Sequence, residues 1–476
     1  MSRRLTVHPD RLLPADRELR AIARELYAEV ADLPIISPHG HVPADWFADD
    51  VRFADPTALL LTPDHYLTRV LHSHGVPLEH LGVGQGELTH EQSRAAFRTL
   101  CRYWKEFRGT PMKLWLESQL VEVLDIDLAP AEDTADEIYD RIDARLAAED
   151  LRPRALYDRF AIDLIATTDD PCDDLAAHRR IATDETWAGT VVPTFRPDRY
   201  LEPARPGWND DVDRLAQVSG QDTGSYAGWV AAMEDRRSYF REHGAVSSDH
   251  AHLDAGMLPL APEESERLYA AARGGTITPG DADRLRRGML FEQARMASED
   301  GLVMTLHPGA WRNHHGATAA RFGPDVGADF AVPTEYVRPL RPVLDAFGTH
   351  PRFRLVLFTL DETTFSREIG PLASFYPSVF AGAPWWFIDA PEAISRYRRA
   401  VTESCGFGKT SGMIDDTRAL LSIPARHDMA RRLDCAYLAE LVADHRLTLD
   451  EARDTAHDLV VRQPRLAFAL EGEDLR

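Results

Sequence analysis

Two short segments near opposite ends of the chain carry residue types that hold a metal ion or an anion. Ser37-Pro38-His39-Gly40-His41 follows the apolar run Leu33-Pro34-Ile35-Ile36, and Gly412-Met413-Ile414 leads into Asp415-Asp416-Thr417-Arg418. Side chains at i and i+2 of an extended strand share one side. The spacing therefore predicts that His39 and His41 meet one metal, and that Asp416 and Arg418 share one pocket. Gly40 leaves room for a ligand between the imidazoles. Two imidazoles and a carboxylate suit Zn²⁺ or another borderline divalent ion with an open coordination position. His250 and His307 end other apolar runs and are candidates to complete or surround that site. The His-x-His pattern is unspecific on its own, since 19 His in 476 residues produce about 0.8 such pairs by chance. His72-Ser73-His74 and His250-Ala251-His252 repeat it. Context separates them: His39 and His41 end an apolar strand, whereas His72 and His74 fall in a helix-to-loop stretch and read as solvated.

Arg196 and Arg418 also end apolar runs. A guanidinium grips a carboxylate with two parallel hydrogen bonds, so the pair predicts an anionic ligand. The ordinary alternative is a salt bridge, Arg196 to Asp198 or Arg418 to Asp415. The segment from His307 to Asn313, which contains Arg312, and Gly323-Pro324-Asp325-Val326-Gly327 read as loops with tight turns. Trp385-Trp386-Phe387 reads as core packing or as a sugar-stacking platform. Asp169-Asp170-Pro171 offers either acid/base carboxylates or a helix cap.

These residues need a frame that brings distant parts of the chain together. Asp16 to Val30 has helical periodicity through Leu19, Ile22, Ala23, Leu26, Tyr27 and Val30. The stretch from about 43 to 157 is helical in pattern and reads as an insertion after the first strand. Apolar runs then recur at 162–166, 190–195, 245–248, 302–306, 354–360 and 378–381, with helical stretches between most of them, and the last run ends at Asp416. Eight such runs, most ending in polar residues, predict a (β/α)8 TIM barrel whose chemistry sits at the carboxyl ends of its strands. The runs at 191–195, with Pro193, and 378–381 are the weakest strands. A doubly wound sheet is the alternative, but no Gly-rich dinucleotide loop follows the first strand. One barrel spanning 1–476 is the expected domain organisation.

Net charge is −23, which opposes nonspecific binding to nucleic acid or anionic membrane. Cys101, Cys172, Cys405 and Cys435 form no CxxC pair, so reduced thiols in a cytoplasmic protein are expected. No signal-peptide pattern and no run of membrane-spanning length is present. The oligomeric state is open, a homo-oligomer included.

The ordered motifs resemble the uronate isomerase (glucuronate isomerase) family of the amidohydrolase superfamily. The likeness rests on His39-x-His41, Asp64-His65-Tyr66, Thr167-Thr168-Asp169-Asp170-Pro171, Arg196-Pro197-Asp198 and Ser248-Asp249-His250-Ala251. It continues through His307-x-Gly309-Ala310-x-Arg312-Asn313, Gly323 to Gly327, Trp385-Trp386-Phe387 and Asp416-Thr417-Arg418. The resemblance implies a distorted amidohydrolase-type barrel with one metal, commonly zinc. It implies an aldose–ketose isomerase acting on D-glucuronate and D-galacturonate, with D-fructuronate and D-tagaturonate as products. His39, His41 and Asp416 match the family's metal residues. Tyr66, Arg196, Asp249, His307 and Arg418 match residues around the open-chain uronate, and Arg312 and Trp385 are added as substrate contacts. Two stretches depart from the family: Glu117-Ser118-Gln119-Leu120 stands where His-Leu-Glu-Leu is frequent, and Asp361-Glu362-Thr363-Thr364 lacks the usual Asn/Pro-rich reading. Both are candidates to line the sugar end of the pocket.

Isomerisation through a cis-enediol needs a base near C2, charge stabilisation and a grip on the far carboxylate. Tyr66 is the candidate proton shuttle, with Asp416 or a metal-bound hydroxide as the alternative base. A free phenol titrates near about 10, so Arg418 or the metal must favour its phenolate. The rival readings are a metal-dependent hydrolase of a small amide or lactone and a non-catalytic sugar-acid binding protein. The segment Ser247 to His250 lacks the bridging Lys or Glu of binuclear hydrolases, which favours isomerisation.

Overall fold

The computed structural model describes residues 4–470. Its strands are β1 (Ile35–Ser37), β2 (Ile162–Ala166), β3 (Val191–Val192), β4 (Thr194–Phe195), β5 (Ser247–His250), β6 (Val303–Leu306), β7 (Ala310–Trp311), β8 (Phe330–Ala331), β9 (Leu355–Leu357) and β10 (Val379–Ala381). β1, β2 and β3 pair in parallel, as do β4, β5, β6, β9 and β10 in that order. Pro193 divides the third run, because proline brings no N–H to the ladder. The two sheets stay joined there: Asp169 N–H donates to Thr194 O (3.0 Å), and Arg196 N–H donates to Asp169 O (3.1 Å).

The ring closes through irregular chain. Thr410 bridges to Ala381 of β10, and His41 N–H donates to Thr417 O at 3.0 Å. The expected eighth strand, ending at Asp416, is thus an extended connection with single hydrogen bonds. A physical cause is visible: Asp416 has φ 40°, a left-handed conformation that a strand does not accommodate. Together with helices between most of these strands, the arrangement is the distorted (β/α)8 barrel. Between β1 and β2 the chain forms helices only, apart from a lone bridge at Leu128. The segment after β6, expected as loop, instead folds into the antiparallel hairpin β7–β8, with the helix Gly316–Phe322 at its tip.

Two helices bring the chain ends together. Asp16 caps the helix Arg17–Val30, accepting from the N–H groups of Glu18 and Leu19, as Asp does at an N-cap. The helix Ile423–Ala443 packs on it, and the buried Arg431 donates to the carbonyls of Val30, Ala31, Leu33 and Pro34 at 2.7–3.0 Å. These carbonyls end the first helix and enter β1, so one guanidinium satisfies acceptors the helix leaves unpaired. It also clamps the start of β1 to the helix that follows Arg418. No described helix is long and apolar enough to cross a membrane.

Candidate active site

His39 and His41 lie just beyond β1, and their ring centroids stand 5.6 Å apart. Asp416 lies between them: His39 Nε2 is 3.5 Å and His41 Nε2 3.0 Å from its Oδ1. His307, one residue beyond β6, stacks on His39 at 4.8 Å and places Nε2 4.0 Å from Asp416 Oδ2. That nitrogen is buried without a hydrogen-bond partner. The other ring nitrogen, Nδ1, lies 2.7 Å from Asp249 Oδ1, and Asp249 also accepts from Thr305 Oγ1 at 2.8 Å. A carboxylate on the far nitrogen is what orients a metal-binding histidine. His39, His307 and Asp416 present donor atoms within 4.8 Å of one another. The donor set and the orphaned Nε2 fit a divalent metal.

The electrostatics agree. Burial alone would raise the Asp416 carboxyl, but the His39, His41 and His307 imidazoles outweigh it and hold it well below the usual range. Burial pushes the His39 imidazole down to about 4, which keeps it neutral, the form a ligand needs. Asp249 is likewise held well below the usual range, burial being overcome by Arg196, His307 and His39.

His250, expected among the metal residues, does not group with Asp416. Adjacent strand residues point to opposite faces, and Asp249 takes the inward face. His250 instead groups with Asp198 and His252.

Beside this cluster opens a cavity of about 430 Å³ lined by Tyr66, Arg196, Arg312, Trp385, Asp416 and Arg418, among others. Its size suits a small ligand. Arg196 is held by two carboxylates: Nε donates to Asp198 Oδ2 at 3.1 Å, and its terminal nitrogen lies 3.2 Å from Asp249 Oδ2. Guanidinium has five donors, more than these contacts use. Arg418 pairs with Asp325 at 2.9 Å, not with Asp415, and Arg312 reaches the same carboxylate at 3.0 Å. Arg312 also lies 3.8 Å from the buried Asp329, so both guanidinium groups are anchored by carboxylates in the wall. Trp385 is buried edge-on to His307, and Arg312 lies over the Trp386 ring at 5.2 Å. The two indoles are core and pocket wall at once.

Tyr66 sits near the start of the helix His65–Ser73, which Asp64 caps by accepting from Tyr66 N–H and Leu67 N–H. Its ring packs against Trp115, and the Arg426 guanidinium lies 5.5 Å from the ring centroid. Burial pushes the phenol up and outweighs Arg426. Tyr66 is therefore a neutral O–H, and the phenolate expected through Arg418 is disfavoured by that burial, with Asp389, Asp416 and Asp64 adding to it. Arg426 and Asp325 are pocket residues that the motifs did not assign. Arg426 lies on a helix in an Arg-rich run without a distinguishing pattern. Asp325 stood within a quoted loop, and its Gly-Pro and Gly flanks were the available signal.

Neither departing stretch lines the cavity. Glu117 pairs with Lys113, Ser118 with Glu122, and Gln119 and Leu120 are buried. Asp361 and Thr363 line a separate surface cleft. Asp169 and Asp170 are also outside the cavity lining. Asp170 holds the following turn through Cys172 N–H. Asp169 accepts from Thr167 Oγ1 at 2.6 Å and Thr194 N–H at 3.3 Å, yet burial raises it to about 7. Unfolded Asp titrates near about 3.9. Between about pH 4 and about pH 7 the folded chain binds the extra proton, so this group lowers stability as pH rises through that window. Asp169→Asn should show a smaller drop in Tm between pH 5 and pH 7.5 than the parent, read by calorimetry. An unchanged drop refutes it.

The glucuronate isomerase family profile matches residues 17–464. A uronate isomerase of Cutibacterium acnes is 55% identical over 98% of this chain and 99% of its own length. One of Rhizorhabdus wittichii is 50% identical over the same shares. The crystal structure of a glucuronate isomerase from Caulobacter crescentus superposes with a TM-score of 0.96 at 45% identity, covering 98% of each chain. A uronate isomerase from Thermotoga maritima superposes at 0.90 and 28% identity, covering 97% of this chain and 99% of that one.

Proposed function

The chain belongs to the glucuronate isomerase family of enzymes, and from that premise we propose that it interconverts D-glucuronate with D-fructuronate and D-galacturonate with D-tagaturonate through a cis-enediol. The observation that carries the reading is the convergence of His39, His41, His307 and Asp416 beside a cavity walled by Arg196, Arg312 and Arg418. His39, His41 and Asp416 would hold a divalent ion, zinc by its donor set, with His307 completing or flanking the set. Bound there, such an ion stabilises negative charge on the substrate's oxygens.

The remaining work falls to the chain's own residues. Arg196, fixed by Asp198 and Asp249, binds the substrate carboxylate. Arg312 and Arg418, sharing Asp325, favour the anion in the cavity. The C2 proton leaves to a base, its electron pair becomes the C1–C2 double bond, and the C1 carbonyl pair moves to O1, which takes a proton; O2–H then loses its proton as the C2 carbonyl forms, and the double-bond pair takes a proton at C1. Tyr66 relays that proton as a neutral phenol, and the ionised Asp416 carboxylate is the acceptor beside it. Trp385 and Trp386 keep water from one side of the cavity.

Incubating the protein with each uronate in deuterated water, with and without a chelator, tests the proposal. The ketose should form, and chelation should stop it. Unchanged sugar acid with a thermal shift would mean a binder; turnover of amides or lactones in its place would mean a hydrolase.

A further inference from the structure

Beyond the Asp416 cluster, His252 is almost wholly buried among carboxylates. Its Nδ1 lies 2.6 Å from Glu202 Oε1. Its Nε2 has no hydrogen-bond partner and lies 3.6 Å from Asp198 Oδ1. His250 is fully buried as well: Nε2 is 3.3 Å from Ser248 Oγ, and Nδ1 has no partner. One atom each from Asp198, His250 and His252 lies within 4.8 Å of the others.

We propose that Asp198, His250 and His252 form a second divalent-cation site, separate from the one at Asp416. Three features support it. A buried imidazole nitrogen without a partner costs free energy that a cation would recover. Glu202 on the far nitrogen of His252 reproduces the carboxylate–histidine pairing that orients a ligand. Two nitrogens and one oxygen suit Zn²⁺ with an open position. Around the group, Asp198 and Asp249 share Arg196, Arg199 and Arg205 are engaged by Asp170 and Asp211, and Arg286, near Glu202, is held by Asp254 and Asp283. Arg196 donates to Asp198 Oδ2, the Ala251 N–H lies 3.2–3.3 Å from both carboxylate oxygens, and Oδ1 is the oxygen toward His252. A cleft lined by Asp198, Glu202 and His252, and also by Arg199, Arg205 and Arg312, reaches the group from the surface. A cation there would anchor Asp198, and through it Arg196, from the side away from the active-site cavity.

The test is a count. Metal-free protein is loaded with Zn²⁺, freed of excess by gel filtration and assayed for metal per chain, with Co²⁺ loading for the ligand-field spectrum. The parent should retain two ions, and His252→Ala and Asp416→Asn one each. The Co²⁺ spectrum left in Asp416→Asn should be the component missing from His252→Ala. Should His252→Ala not fold, Glu202→Gln serves in its place. Its target carboxylate is 38% exposed, and losing the orienting partner should weaken the second ion about 10–100-fold. A single ion that Asp416→Asn removes overturns the second site and leaves the active-site reading intact. Two ions retained by His252→Ala also overturn it. No ion in any protein overturns both.

Discussion

Asp416→Asn is expected to lose its tightly held divalent ion and at least about 10³-fold in kcat on D-glucuronate. Stabilising developing charge through a metal is worth several kcal/mol, and about 4 kcal/mol corresponds to about three powers of ten in rate. Asparagine is the right replacement. It tolerates left-handed backbone, which residue 416 adopts at φ 40°, and it matches the carboxylate in shape. It lacks the negative charge on which His39, His41 and His307 converge. Folding should survive while metal affinity collapses. Metal analysis and steady-state kinetics on the same preparation check this, with chelated parent enzyme as reference. Zn²⁺ should restore the parent and not the variant. A variant with full metal and near-parental turnover would remove Asp416 from the site.

Tyr66→Phe should lower kcat by about 10²–10⁴, the usual span for a positioned proton-transfer group, with KM changed only a few-fold. The ring is fixed from three directions: the Asp64 cap of its helix, the Trp115 edge and the Arg426 guanidinium. Phenylalanine keeps that packing and removes only the hydroxyl. A split of kcat from KM is what a reaction role predicts, since loss of uniform binding would raise KM alone. If kcat stays near parental, the proton passes through Asp416 without Tyr66.

The residues that hold the candidate site are unevenly visible in the chain. His39-x-His41, Asp416 and Arg418 stand out because their types can hold a metal or an anion and each follows an apolar run. Helical and strand periodicity locates the first helix and most barrel strands for the same local reason: burial on one face repeats at the period of the backbone. Those signals suffice for the barrel, its helical stretch after β1, and the meeting of its two ends.

Side-chain direction and partner choice are another matter, because they depend on atoms distant in sequence. Asp249 and His250 are neighbours, and the alternation of β5 sends one to His307 and the other away to Asp198 and His252. Arg418 had Asp415 three residues away, yet the loop carrying Asp325 comes closer across the cavity mouth. The phenol of Tyr66 is raised by burial that only packing creates. Arg431, which clamps the start of β1 through four carbonyls, looks in the chain like any arginine on a helix. Local pattern reports which backbone an element adopts. Which charges meet is decided by long-range packing, where low dielectric makes each unpaired group costly and each pairing selective.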